Sequence, residues 1–201
     1  MKTLIIVDVQ NDFLPGGSLA VPQGDVVVPV INGIVNRFDL VVATQDWHPR
    51  THSSFASNHP GRKPFEKVLL EGLEQVLWPD HCVQGTRGAD LAAGLDARPV
   101  EAIFRKGMDP AIDSYSGFFD NDHRRDTGLA GYLRARGASR IYLCGLAADI
   151  CVYYSLKDAL REGFEAFLLE DASRPLDGDA FAAIKQASPA AVIDSSRIGL
   201  R

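Results

Sequence analysis

Short apolar runs recur along this chain with helix-like segments between them, and that alternation narrows its possible folds more than any other feature. Thr3 to Val9, Leu40 to Thr44, Ala102 to Phe104, Ile141 to Cys144, Ala166 to Leu169 and Ala191 to Ile193 read as strands. These runs are polar on neither face, the pattern of strands covered on both sides in a parallel sheet. Helices are expected near Val26 to Arg37, Asp126 to Arg136, Asp149 to Arg161 and Asp179 to Gln186. Gly137 and Gly163 stand where a helix C-terminus favours glycine. The alternation predicts an α/β fold, a parallel sheet of about six strands with helices on both faces. At 201 residues the chain is close to the usual size of one such domain, and residues 1–201 are expected to form a single unit.

Charge excludes one large class of partner. Lys and Arg number 21 against 26 Asp and Glu, a formal net charge of −5, whereas a phosphate-binding surface needs clustered cations. The apolar run Leu4–Val7 is broken by Asp8, too short for a secretion signal, and no run is long enough to span a membrane. Three cysteines, an odd number, form no obvious disulfide framework, so reduced thiols and a cytoplasmic location are expected. Nothing in the composition sets an oligomeric state.

From Asp46 to about Gly88 the rhythm breaks, and the segment is rich in Pro, Gly, His and Trp. Connections this long are usually functional or carry short elements of their own. Open parallel sheets bind ligands outside the carboxyl ends of their strands. Asp8 lies near the end of the first strand, Asp46 and His48 follow the second, Lys106 the third, and Cys151 comes just after the fourth. Four segments thus deliver carboxylate, imidazole, ammonium and thiol to one edge of the sheet.

Each of these residues has an ordinary reading as well as a functional one. A lone cysteine is usually a small buried side chain, and Cys82 and Cys144 keep that reading. Cys151 differs in its company. Asp149 is placed to cap the helix that follows, which would set the thiol in the first turn, where backbone N–H groups stabilise an anion. Asp8, by itself a loop-fixing residue, can beside a thiol take up its proton and return it to a leaving amine. Lys106, by itself solvated surface, would hold both as anions. Asp46 and His48, with His81 as a third ligand, form the start of a site for Zn²⁺, Fe²⁺ or Mn²⁺. His52 and His59 are possible competitors, and His123 reads as surface. Phe13, Trp47, Trp78 and Tyr115 are core-type residues that could also wall a small planar-substrate pocket.

Six motifs stand in order along nearly the whole chain: Asp8-Val9-Gln10-Asn11-Asp12-Phe13; Gln45-Asp46-Trp47-His48-Pro49; Trp78-Pro79-Asp80-His81-Cys82-Val83-Gln84-Gly85-Thr86; Lys106-Gly107; Asp113-Ser114-Tyr115-Ser116; and Gly145-Leu146-Ala147-Ala148-Asp149-Ile150-Cys151-Val152. Together they resemble the nicotinamidase (pyrazinamidase) branch of the isochorismatase-like cysteine hydrolases. The resemblance implies a three-layer, Rossmann-like fold and an amidohydrolase that converts nicotinamide to nicotinate and ammonia through a cysteine thioester. It implies a catalytic triad of Asp8, Lys106 and Cys151, and one divalent metal, zinc before iron or manganese, on Asp46, His48 and His81. It further implies an oxyanion hole from the N–H groups of Ala147 and Cys151, and a cis peptide between Leu146 and Ala147. Phe13, Trp78, Tyr115, Leu146 and Ala147 are implied to bind the small-molecule substrate. Hydrolases of carbamoyl or ureido amides in the same superfamily keep the cysteine but usually lack the metal motif, and are the alternative. A metal-dependent oxygenase would leave Asp8, Lys106 and Cys151 without a role. A redox-sensing module would show a reactive thiol without turnover.

Overall fold

The structure is a computed structural model that describes residues 1–70 and 72–199. Six strands form one parallel sheet: β1 (Lys2–Val7), β2 (Leu40–Asp46), β5 (Ala102–Lys106), β6 (Arg140–Leu146), β7 (Glu165–Arg174) and β8 (Val192–Ile193). A two-stranded hairpin of β3 (Lys67–Leu70) and β4 (Leu73–Val76) lies apart from it. The sheet order is β5-β2-β1-β6-β7-β8. Taken in the order the chain lays down its sheet strands, that is the 3-2-1-4-5-6 order of the Rossmann fold, whose ligand crevice opens where the order reverses. Here the reversal falls between β1 and β6.

Helices complete the layers. Helix α1 (Val27–Ile34) packs Val27, Ile31 and Ile34 against Leu4, Ile6, Val41 and Tyr142 on one face. On the other, α2 (Leu129–Ala135), α3 (Cys151–Arg161) and α4 (Gly178–Ala187) bury Leu133, Val152, Leu156 and Phe181 over Ile5, Val42 and Leu143. Alternate residues of β1 therefore face opposite cores, which is why its sequence reads as a continuous apolar run. No helix of the described residues is long and apolar enough to cross a membrane.

Each expected strand and helix is present, with bounds shifted by a few residues. β1 stops at Val7 because Asp8 takes a left-handed φ of 48°. β2 and β5 run two residues further than expected, so Asp46 and Lys106 are the last residues of their strands and register partners. Helix α1 is shorter than expected and is flanked by 3-10 turns at Gly24–Val26 and Val35–Arg37. The β3–β4 hairpin inside the long connection was not foreseen.

Candidate active site

Asp8, Asp46, Lys106 and the turn before Cys151 meet at the carboxyl edge of β1, β2, β5 and β6, around the reversal point. Register alone sets Asp46 beside Lys106, and the Lys106 ammonium lies 2.6 Å from Asp46 Oδ1, 3.0 Å from Asp8 Oδ2 and 3.6 Å from Cys151 Sγ. It also donates to the Ser114 carbonyl at 2.8 Å. The Lys106 side chain is wholly buried. Burial alone would lower its pKa, but Asp46 and Asp8 overcome that and hold it well above the ordinary lysine value.

Asp8 accepts the Thr44 hydroxyl on Oδ1 at 2.6 Å. Oδ2 faces Lys106, and an oxygen of Asp8 lies within 4.8 Å of the Cys151 sulfur. Burial raises the Asp8 carboxyl, against the pull of Lys106. Burial likewise pushes the Cys151 thiol up, with Lys106 offsetting only part of the effect. The expectation that the helix turn lowers this cysteine's pKa is therefore corrected in direction: burial outweighs the pull of Lys106.

The capping expectation is corrected too. Residue Ile150, not Asp149, precedes the first turn of α3, with no side-chain cap. Asp149 instead accepts the N–H groups of Leu176 (2.8 Å) and Asp177 (2.9 Å), tying this turn to the loop after β7. The Leu146–Ala147 peptide is cis. Ile150 and Val152 both donate to the Ala147 carbonyl at 3.1 Å, while the Ala147 and Cys151 N–H groups take no part in those bonds.

Thirty-three positions separate His48 from His81, and two short bridges in the long connection bring them together. His48 donates its N–H to the Cys82 carbonyl and accepts Gln84, while Trp78 and Ala56 bond across a second bridge. Gln10 grips Asp46 from both sides, donating to its carbonyl (2.9 Å) and accepting its N–H (2.8 Å). Asp12 accepts the N–H of Cys82 at 2.7 Å, beside His81.

Asp46, His48 and His81 are buried, with one ligand atom of each within 4.8 Å of the others. His48 Nδ1 meets the Gly107 carbonyl at 2.9 Å and His81 Nδ1 meets the Pro79 carbonyl at 2.8 Å. A carbonyl only accepts, so each Nδ1 carries the proton and each Nε2 keeps its lone pair. Both Nε2 atoms face Asp46 Oδ2, at 3.4 and 3.7 Å. Two imidazoles whose outer Nδ1–H groups are anchored on carbonyls, beside one carboxylate, fit a divalent metal. Burial favours the neutral form of Asp46, but Lys106 and His48 outweigh it and keep the carboxyl well below its usual range. Gly107 has a left-handed φ of 64°, and a Cβ there would overlap the His48 ring. Phe55, fully buried, stands edge-on to both ligand rings at centroid distances of 5.5 Å.

A cavity opens over these groups, lined by Phe13, Trp78, Tyr115, Ala147, Cys151 and Asp46, among others. Of the residues expected around the substrate, Leu146 is not in its wall; its side chain packs in the core below. Leu19, Val21, Asp113, Ile150 and Leu176 line the cavity without having been singled out. Asp113 and Ile150 had a sequence signal, their places near Tyr115 and Cys151 in two of the six motifs. Gln75 of the hairpin donates to Asp113 Oδ2 at 3.1 Å and lies 3.3 Å from the Tyr115 hydroxyl. His59 bonds the Ser53 carbonyl, outside the ligand set, and His123 pairs with Asp158 at 2.9 Å on the surface. His52 is buried beside His48, and burial lowers its pKa to about 4.

This fold, carrying these motifs, defines an isochorismatase-type protein, and the chain belongs to the isochorismatase domain family, whose model matches residues 2–196. Within it, the chain is 49% identical to the nicotinamidase of Acinetobacter baylyi over 87% of its own length and 81% of that protein. It superposes on a nicotinamidase/pyrazinamidase from Acinetobacter baumanii with a TM-score of 0.93 and 43% identity, covering 98% and 97% of the two chains. An L. infantum relative solved in complex with nicotinate matches with a TM-score of 0.84 and 40% identity over 97% and 93%. A Pyrococcus horikoshii pyrazinamidase solved in complex with zinc matches with a TM-score of 0.78 and 35% identity over 96% and 98%.

Proposed function

We propose that this chain is a nicotinamidase, hydrolysing nicotinamide, and pyrazinamide as well, to the acid and ammonia, in salvage of the pyridine ring for NAD. The observation that carries the reading is Lys106 Nζ placed 3.0 Å from Asp8 and 3.6 Å from Cys151 at the floor of an aromatic-walled cavity. Residues 1–201 act as a single catalytic domain. Phe13, Trp78 and Tyr115 sandwich the flat ring, and the amide points to Cys151.

Asp8 takes the thiol proton as Sγ attacks the amide carbon. Lys106 neutralises the anions on either side of it. The N–H groups of Ala147 and Cys151 hold the carbonyl oxygen as it becomes negative. Asp8 then protonates the departing nitrogen, the C–N bond breaks, and ammonia leaves a Cys151 thioester. Water, deprotonated by Asp8, cleaves the thioester to the acid and restores the thiol. A divalent ion on Asp46, His48 and His81, zinc first with iron or manganese as alternatives, supplies a Lewis-acid anchor for the ring nitrogen. The zinc-bound relative and the tautomers of His48 and His81 support that part. The metal set also favours this reading over hydrolysis of ureido or carbamoyl amides. Free thiols at Cys82, Cys144 and Cys151 suit a reducing compartment, and we place the protein in the cytoplasm.

The test is ammonia release from nicotinamide. Cys151→Ala is expected to lower kcat by roughly 10⁴-fold or more, as loss of a nucleophile does in other hydrolases. No turnover by the intact, zinc-loaded protein would overturn the assignment.

A further inference from the structure

Three imidazoles crowd this site, and they are not in the same state. His48 and His81 direct Nδ1–H at carbonyl oxygens, so their Nε2 atoms are ligands. His52 is the reverse. The backbone N–H of Ser54, which can only donate, points at His52 Nδ1 from 3.2 Å, and the Ser54 hydroxyl lies 2.7 Å from the same nitrogen. His52 Nδ1 is therefore the acceptor, and in the neutral ring the proton sits on Nε2. A protonated Nε2 has no lone pair for a metal. His52 is completely buried, yet among the described residues its Nε2 has no hydrogen-bond partner. A buried N–H left without an acceptor is costly, so the position asks for a partner from outside the chain.

Asp113 supplies the complementary group. Its carboxylate is buried in the cavity wall, with Oδ1 held by the Ser114 N–H and Oδ2 by Gln75. A carboxylate oxygen of Asp113 and one nitrogen each of His52 and His48 lie within 4.8 Å of one another. No direct His52–Asp113 hydrogen bond forms, and a separation of this size is bridged by one oxygen atom.

We infer that His52 serves the metal site as a hydrogen-bond donor and not as a third imidazole ligand, holding with Asp113 one solvent oxygen beside the ion. This rests on the metal reading above. His52 and Asp113 are thus positioning residues: their effect is on the affinity and surroundings of the ion.

The experiment is Co²⁺ binding to metal-free protein, read by calorimetry and by the visible spectrum of the bound ion. Wild type is compared with His52→Gln, His52→Ala, Asp113→Asn and His48→Ala, with melting curves to show that each metal-free variant is folded. Gln places an amide N–H near the Nε2 position, so His52→Gln is expected to keep the wild-type spectrum and affinity to within about threefold. His52→Ala and Asp113→Asn are each expected to weaken binding roughly tenfold, the usual cost of an outer-shell loss. If His52→Gln binds as poorly as His48→Ala and its spectrum changes, His52 is a ligand and the inference falls. If His52→Ala and Asp113→Asn both bind as tightly as wild type, the two residues only pack, and it falls again. Should His52→Ala not fold, His52→Gln and Asp113→Asn decide between these outcomes. Wild type that takes up no Co²⁺ overturns the metal reading, and this inference with it.

Discussion

Lys106 shows how a single side chain can hold a site together. At an effective dielectric of about 20, each charge roughly 3 Å away is worth about 5 kcal/mol, so two carboxylates outweigh the several kcal/mol spent on burying the ammonium. Replacing it with Met would strand Asp8 as a buried, uncompensated anion and take the ammonium from Asp46. Lys106→Met is therefore expected to lose activity and about 3–5 kcal/mol of stability, measured by urea denaturation. The three cysteines differ as sharply. Cys82 and Cys144 lie in the core, with burial raising both thiols, and only Cys151 lines the cavity. Iodoacetamide under native conditions should label one thiol per chain, Cys151, and bound nicotinate should slow that labelling. Mass spectrometry of tryptic peptides checks both.

At the scale of elements, what the sequence disclosed and what it hid have different physical origins. Runs such as Leu4–Val7 and Val41–Ala43 are apolar on both faces because both faces are covered, so the strands and their order in the chain were legible. The rule that ligands gather at strand carboxyl ends then assembled Asp8, Asp46, Lys106 and Cys151. The β3–β4 hairpin was not legible: among the described residues, Gln75 is the one it buries, and its strands pair only with each other. Asp149 was misread because a carboxylate two residues before a helix looks like a cap, while its partners, Leu176 and Asp177, are remote in sequence. That remote tie is testable. Asp149→Ala leaves two backbone N–H groups without acceptors in a half-buried turn, a loss of about 1–3 kcal/mol in thermal or urea unfolding. Activity should fall with it, because the same turn carries Ala147 and Cys151.

Over the whole molecule, an ion on Asp46, His48 and His81 would tie the long connection between β2 and β5 to the sheet. Asp46, at the end of a central strand, is anchored by the sheet and by Gln10, whereas His81 is held through two small bridges, Asp12 and the Pro79 carbonyl. An ion joining the two would stabilise the native state by mass action. Chelation is expected to lower Tm and abolish most turnover. At a metal concentration of about 100 Kd the stability restored is roughly 2.7 kcal/mol. Calorimetry before and after adding back Zn²⁺ checks this.

The hairpin, set apart from the sheet, touches the cavity through Gln75, which meets both Asp113 and Tyr115. One wall of the substrate pocket is thus braced by an appendage, while the reacting groups stand on the sheet's own framework. A lineage can remould that wall by rewriting the hairpin around Gln75, leaving Asp8, Lys106 and Cys151 on their foundation. Divergence in ring preference within such a family has a place to happen where the fold has nothing to lose.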